Sequence, residues 1–223
     1  MNKNVVLIGD LGSKNRTGGG EIFFRNLIDL VYQFYPEKKI HCYTILHKTD
    51  DDALFSELEK KYSNLIITAT KVSSNLIGHP FVDLNFYSSI KQKIRKTDAD
   101  LIIHQQPSLL SILISGKQNI IFFHGPVGGV HGGINFSLFK FKSVLKKFIW
   151  QDFIIRLSLK LKIKFLREGY HLICNSEYTK KLLLETSKIP NQKMEVFGLP
   201  VNCSKFRPDN ILRKTFREEY KIG

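Results

Sequence analysis

The 223-residue chain carries 34 Lys and Arg against 20 Asp and Glu, a formal net charge of +14, and 43% of its residues are hydrophobic. That apolar share builds a core and excludes a disordered chain. The charge implies an anionic partner: a phosphorylated ligand, an anionic membrane surface or a nucleic acid.

The chain opens MNKN and passes directly into VVLIGD (5–10). This apolar run is too short for a signal-peptide core and reads as a first strand. Further strands are expected at 40–46 (IHCYTIL), 65–70 (LIITAT), 100–105 (DLIIHQ), 119–125 (NIIFFHG), 171–176 (HLICNS) and 194–198 (MEVFG). Most are apolar nearly throughout, as parallel strands covered on both faces are. Helical spacing fills the gaps at 20–35, 50–62, 85–97, 108–115, 136–168 and 177–186. In the first of these, Phe23, Leu27, Leu30, Val31 and Phe34 share one face. Such alternation predicts an α/β fold, a Rossmann-like, doubly wound and mostly parallel sheet. Residues 1–205 form this domain, and residues 206–223 read as a linker with the start of a helix. Cys42, Cys174 and Cys203 are far apart with no CxxC pair, which argues for reduced cytosolic thiols and against structural zinc. No apolar run is long enough for a membrane-spanning helix.

In a doubly wound sheet, ligands sit beyond the carboxyl ends of the strands. The first such loop runs DLGSKNRTGGG, from Asp10 to Gly20. Gly18, Gly19 and Gly20 let a ligand approach the backbone, and the helix that starts there offers unpaired N–H groups and a positive dipole end. Lys14 and Arg16 add positive charge. Glu21 suits the first helical turn but would repel a phosphate if it pointed inward. A plain tight connection explains the same glycines. The loop lacks both the dinucleotide G-x-G-x-x-G pattern and the P-loop G-K-[ST] ending.

The fifth strand ends in His124 at the same edge, where an imidazole could meet a hydroxyl or a phosphate. The sixth ends in Asn175 and Ser176, followed by Glu177. These fit a helix cap as well as a ligand. Residues 140–167 hold nine Lys or Arg and one acid, Asp152. On a continuous helix, Lys142, Lys146, Arg156, Lys160, Lys164 and Arg167 fall within an arc of about 80°. That face suits an anionic membrane interface, or equally a solvated face over a buried helix. No nucleic-acid-binding motif accompanies it, so no nucleic-acid partner is expected.

Four segments together resemble the amino-terminal domain of GT-B glycosyltransferases of the retaining family four. They are TGGGEIFFRNLIDLVYQF, NIIFFHGP, HLICNSEYTKKLLLE and MEVFGLPVNCSKFRPD. The last carries Pro200, Val201, Asn202, Phe206 and Pro208, with Asn202 where the family usually has Asp. The resemblance spans nearly the whole chain. It implies a metal-independent transferase with no cofactor, in which a nucleotide-sugar donor lies between two Rossmann-like domains. By that likeness Gly19 and Gly20, with Gly18 beside them, would lend amides to the donor diphosphate, and His124 would contact the transferred sugar. Arg16, Gln105, Gln106 and Pro107 would shape the cleft for a glycan or lipid-linked acceptor, with Ser176 and Glu177 at its rim. The family's second, donor-binding domain would lie beyond this chain, or on a partner chain if the enzyme is split, so these residues alone are expected to be inactive. Cytoplasmic location with peripheral binding at the inner membrane face fits relatives with lipid-linked acceptors and suits the basic face. The competing expectations are a non-catalytic membrane- or partner-binding subunit and a basic nucleic-acid-binding α/β protein.

Overall fold

The structure, a computed structural model, describes residues 4–14, 18–47, 52–72, 80–106, 118–124, 170–186, 193–198 and 210–219. The elements run β1 (Asn4–Gly9), α1 (Gly19–Phe34), β2 (Ile40–His47), α2 (Ala53–Lys61), β3 (Leu65–Val72), α3 (Pro80–Lys96), β4 (Ala99–His104), β5 (Gln118–Phe123), β6 (Tyr170–Cys174), α4 (Glu177–Thr186), β7 (Met194–Val196) and α5 (Asn210–Glu219). The seven strands form one sheet in the order β3-β2-β1-β4-β5-β6-β7, and every pairing is parallel. The expected α/β doubly wound sheet is therefore the one found. The chain moves outward from β1 to β3, then returns to the centre at β4. That reversal places a crevice between the carboxyl ends of β1 and β4.

Side-chain alternation divides the core between the two faces. On one face α1 and α2 bring Phe23, Phe24, Leu27, Ile28, Val31 and Phe55 against Val5, Leu7, Cys42, Leu65, Ile103 and Phe122. On the other, Phe86, Ile90 and Ile94 of α3 cover Val6, Ile8, Tyr43 and Ile102, while Leu183 of α4 covers Ile121, Phe123, Leu172 and Cys174. At about 25 cal/mol per Å², fully burying one such Leu or Phe contributes roughly 2 kcal/mol. Cys42 and Cys174 are buried free thiols, and burial pushes both thiol pKa values up.

Two details differ from the sequence reading. Phe34 is 70% exposed, although helical spacing aligns it with Phe23, Leu27, Leu30 and Val31. It is the last residue of the 16-residue α1, one turn beyond Val31, the last buried position of that helix. Phe24 and Ile28 fill the core in its place. Helix α3 begins at Pro80, five residues before the expected start at 85; proline at a first helical position is the missed signal. Helix α5 realises the helix expected near the end of the chain. The helices expected at 108–115 and 136–168, the basic residues from Lys142 to Arg167, Arg16, Pro107, Cys203 and the segment from Pro200 to Pro208 lie outside the described residues. Among the described residues no helix is long and apolar enough to cross a membrane.

Candidate functional site

The loop after β1 is a fastened turn for its first four residues. Asp10 N–H donates to Gln105 Oε1 at 2.6 Å, Leu11 N–H to Thr44 Oγ1 at 3.0 Å, and Gly12 N–H to Asp10 Oδ1 at 2.8 Å. Gly12 stands at φ 69°, a left-handed conformation that favours glycine. From α1, Arg25 Nε donates to Leu11 O at 2.9 Å and its Nη2 to Ser13 O at 3.3 Å. Lys14 forms an ion pair with Glu57 of α2, so its charge is directed to that helix. These amides are spent on the fold and cannot also cradle a phosphate.

The glycines at the helix start are different. Gly18 is the N-cap of α1 and provides no side-chain hydrogen bond. A Ser, Thr or Asp there would occupy the first free amides; glycine leaves them open. Among the described residues, no hydrogen bond from Gly19 or Gly20 N–H is present. Among the described residues, a Cβ added at Gly19 would meet nothing within 4 Å. Gly18 N–H itself donates to Glu21 Oε2 at 2.9 Å, so Glu21 turns back over the cap and takes the outermost amide. The start of α4 shows the contrast. Ser176 Oγ accepts Thr179 N–H at 3.2 Å, so that helix caps itself in the way that explains Ser176 without a ligand. Glu177 is exposed in the first turn of α4.

His124 follows β5 at the same edge. Its ring packs edge-on against Phe23 of α1 with centroids 4.2 Å apart, and lies parallel to Phe122 at 6.2 Å. Phe23 is one helical turn below Gly19 and Gly20, so α1 carries the open amides and holds the imidazole at once. Burial lowers the His124 pKa, and a hydrogen bond to the Gln105 backbone acts in the opposite direction. The imidazole is thus biased to the neutral form, with one nitrogen a donor and the other an acceptor. Its Nε2 is buried and, among the described residues, has no hydrogen-bond partner. Asn175 supports the turn: its Nδ2 donates to His124 O at 2.7 Å, and its Oδ1 accepts from Thr179 Oγ1 at 2.8 Å. Asn175 thus braces the loop after β5, while Ser176 does the capping.

Gln105 lies between these parts. It is 6% exposed, its Nε2 donates to Gly20 O at 2.7 Å, and its Oε1 holds Asp10 N–H. Gln106 beside it is exposed. The structure therefore brings together Gly18, Gly19, Gly20, Gln105 and His124 at the β1–β4 crevice, with Ser176 and Glu177 farther along the same edge. Gly9 went unnoticed in the sequence. A Cβ there would lie 2.6 Å from Gln105 Oε1 and 2.7 Å from Phe24 Cε2. A glycine closing an otherwise β-branched strand is the signal that could have found it. Among the described residues no group of three or more His, Cys, Asp or Glu is placed to hold a metal ion.

The second histidine at a strand end belongs to the core. His104 is fully buried; its Nε2 lies 3.3 Å from Asn119 Oδ1, and among the described residues its Nδ1 has no partner. Burial lowers its pKa from 6.5 to about 4, with the Asn119 hydrogen bond acting the other way. The unfolded chain takes up this proton below pH 6.5 and the native chain only near pH 4. Native stability is therefore expected to fall as pH drops through that window, by roughly 3 kcal/mol at most. Urea unfolding at pH 7 and pH 4.5 checks this: His104→Gln should lose less stability on acidification than the wild type.

A family model described as Glycosyltransferase Family 4 matches residues 18–205. Among solved structures, Anabaena Alr3699/HepE in complex with UDP-glucose aligns with a TM-score of 0.53 at 12% identity, covering 97% of this chain and 50% of that one. WaaG, a glycosyltransferase involved in lipopolysaccharide biosynthesis, gives 0.55 at 10% identity over 98% and 52%. Medicago truncatula UGT71G1 complexed with UDP-glucose gives 0.54 at 10% identity over 97% and 56%. At such identities the likeness bears on the fold alone, and the chain spans about half the length of these structures. No curated protein matches the sequence.

Proposed function

The chain belongs to glycosyltransferase family 4, and from that premise we propose that it is the acceptor-side half of a retaining transferase acting on a nucleotide-sugar donor. The observation that carries the proposal is the convergence, beside the β1–β4 crevice, of the Gly19 and Gly20 amides with His124 Nε2, none of which has a hydrogen-bond partner among the described residues. Two of the similar structures hold UDP-glucose, which supports a nucleoside diphosphate sugar as donor.

In this proposal the amides of Gly19 and Gly20 and the positive end of the α1 dipole face the donor diphosphate. They stabilise the negative charge that grows on it as the bond to the sugar breaks. His124 hydrogen-bonds the transferred sugar through Nε2 and orients it. An acceptor hydroxyl oxygen bonds to the anomeric carbon from the face the diphosphate leaves. The hydroxyl proton passes to the departing phosphate oxygen, and a nucleoside diphosphate is released. The charge is met by amides and a helix end, so the proposal includes no metal ion or other cofactor. The rest of the donor pocket belongs to a second, donor-binding half, on the same chain or on a partner. The acceptor is a cell-envelope glycan or a lipid-linked one, reached at the inner face of the cytoplasmic membrane through the basic residues between 140 and 167.

The test is a transfer assay with the donor-binding half supplied, using radiolabelled UDP-sugars and membrane extract, with product stereochemistry read by NMR. A product that keeps the donor's anomeric configuration is expected. Inverted product would overturn the mechanism, and failure to use any nucleotide sugar would overturn the function.

A further inference from the structure

We propose that Gln105 is the positioning residue of this site, setting the distance between the open amides of α1 and His124. The inference rests on the functional reading above and gives Gln105 a role other than contact with the acceptor. Three elements meet on this one residue. Its side-chain oxygen holds Asp10 N–H at the end of β1 at 2.6 Å, and its side-chain nitrogen holds Gly20 O in the first turn of α1 at 2.7 Å. Its own N–H donates to Ile8 O at 2.8 Å, and its backbone bonds His124 after β5. The orientation of the amide is fixed by its partners, because an N–H needs an acceptor and a carbonyl needs a donor. The fit leaves little slack. Gln105 is 6% exposed, a Cβ at Gly20 would approach its Nε2 to 3.2 Å, and a Cβ at Gly9 would overlap its Oε1 and Cβ. Neither the amide nor the glycines around it can shift alone, so the helix start and the imidazole move as one body.

The geometry makes an unusual demand on a replacement. Glutamate has the same shape, and one carboxylate oxygen can accept the Asp10 N–H. The other oxygen would then face the Gly20 carbonyl with no proton between them. Only the protonated acid restores both bonds. Burial and the facing carbonyl would raise its pKa above the ordinary carboxyl range. Among the described residues, the charged or titratable groups nearest these contacts are Asp10 beside β1, Glu21 and Arg25 in the first turns of α1, His104 next to Gln105 on β4, and His124 after β5, while Asp29 and Tyr32 lie farther along α1.

The experiment measures kcat/KM for the donor from pH 5.5 to 8, with the donor-binding half present, for wild type, Gln105→Ala and Gln105→Glu. Gln105→Ala is expected to lose roughly tenfold to a hundredfold at every pH, the scale of a small misplacement of reacting groups. Gln105→Glu should match that loss at pH 8 and recover toward wild type at pH 5.5. A Gln105→Glu to wild-type ratio that stays constant with pH would overturn the inference, as would wild-type kcat/KM in Gln105→Ala. If the wild type itself transfers nothing, the functional reading fails, and positioning is read separately by NMR of the 223-residue chain. There Gln105→Ala should shift the Gly20 amide and His124 ring resonances together while those of α3 stay in place. Unchanged resonances would overturn the positioning role.

Discussion

His124→Ala is expected to lower turnover by about a hundredfold or more, the cost of removing one preorganised hydrogen-bonding group from a reacting centre. The fold should survive the change. The ring is only partly buried, and its contacts among the described residues are the edge-on pair with Phe23 at 4.2 Å, the parallel Phe122 ring at 6.2 Å and a hydrogen bond to the Gln105 backbone, of which the aromatic pair and the hydrogen bond are each of the kind that contributes about 1 kcal/mol. The main-chain anchor, Asn175 Nδ2 to His124 O at 2.7 Å, does not depend on the side chain. Turnover and melting temperature should therefore separate: a large fall in the first, a small one in the second. His124→Gln, which keeps an amide donor and acceptor, should recover part of the loss. The pH profile provides a second check. Burial holds the imidazole pKa below 6.5, so charging of His124 should cut the rate only below that value. Turnover within twofold of wild type in His124→Ala would remove the residue from the site.

Gly9→Val is expected to be the most damaging single change to the fold. A Cβ alone would lie 2.6 Å from Gln105 Oε1, 2.7 Å from Phe24 Cε2 and 2.8 Å from Gln105 Cβ. Phe24 is fully buried, and Gln105 is tied at both ends of its amide, so neither side chain can swing aside. Overpacking of this kind costs about 1–3 kcal/mol, and valine adds two methyl groups to the overlap. The strain falls on the crevice, because the residues displaced are those that set the start of α1. Loss of stability in urea should come with loss of donor binding. Gly9→Ala should show both effects in milder form. A Gly9→Val protein as stable as wild type would mean that α1 and β1 can part without cost.

Much of this architecture was legible in the residues. The apolar runs and their helical intervals predicted the strand set, and each described strand lies within two residues of its expected bounds. The order of strands follows from a reversal of direction that no local pattern records, so the crevice between β1 and β4 required the structure. At the site, the glycines and His124 were visible because glycine and histidine carry distinctive chemistry at strand ends. The division of labour within the loop was not. Nothing in DLGSKNRTGGG reveals that the amides from Asp10 to Gly12 are consumed by Gln105, Thr44 and Asp10, residues up to 95 positions apart. Gln105 looked like a polar residue bound for the cleft, yet its amide is buried between β1 and α1. Ser176 was the reverse case: its capping bond to Thr179 was readable from the sequence and is what the structure contains.

Whether the glycine start of α1 receives the donor diphosphate is read from the affinity for UDP of wild type and Gly19→Val. Calorimetry with the donor-binding half present measures it. Gly19 suits the purpose because a Cβ there meets nothing within 4 Å among the described residues, so the side chain projects toward the ligand rather than into the core. Kd is expected to be weaker by roughly tenfold or more in Gly19→Val, the loss of about one charge-assisted hydrogen bond, with an unchanged melting temperature. Equal Kd values for the two proteins, or no binding of UDP by the wild type, would contradict that placement of the diphosphate.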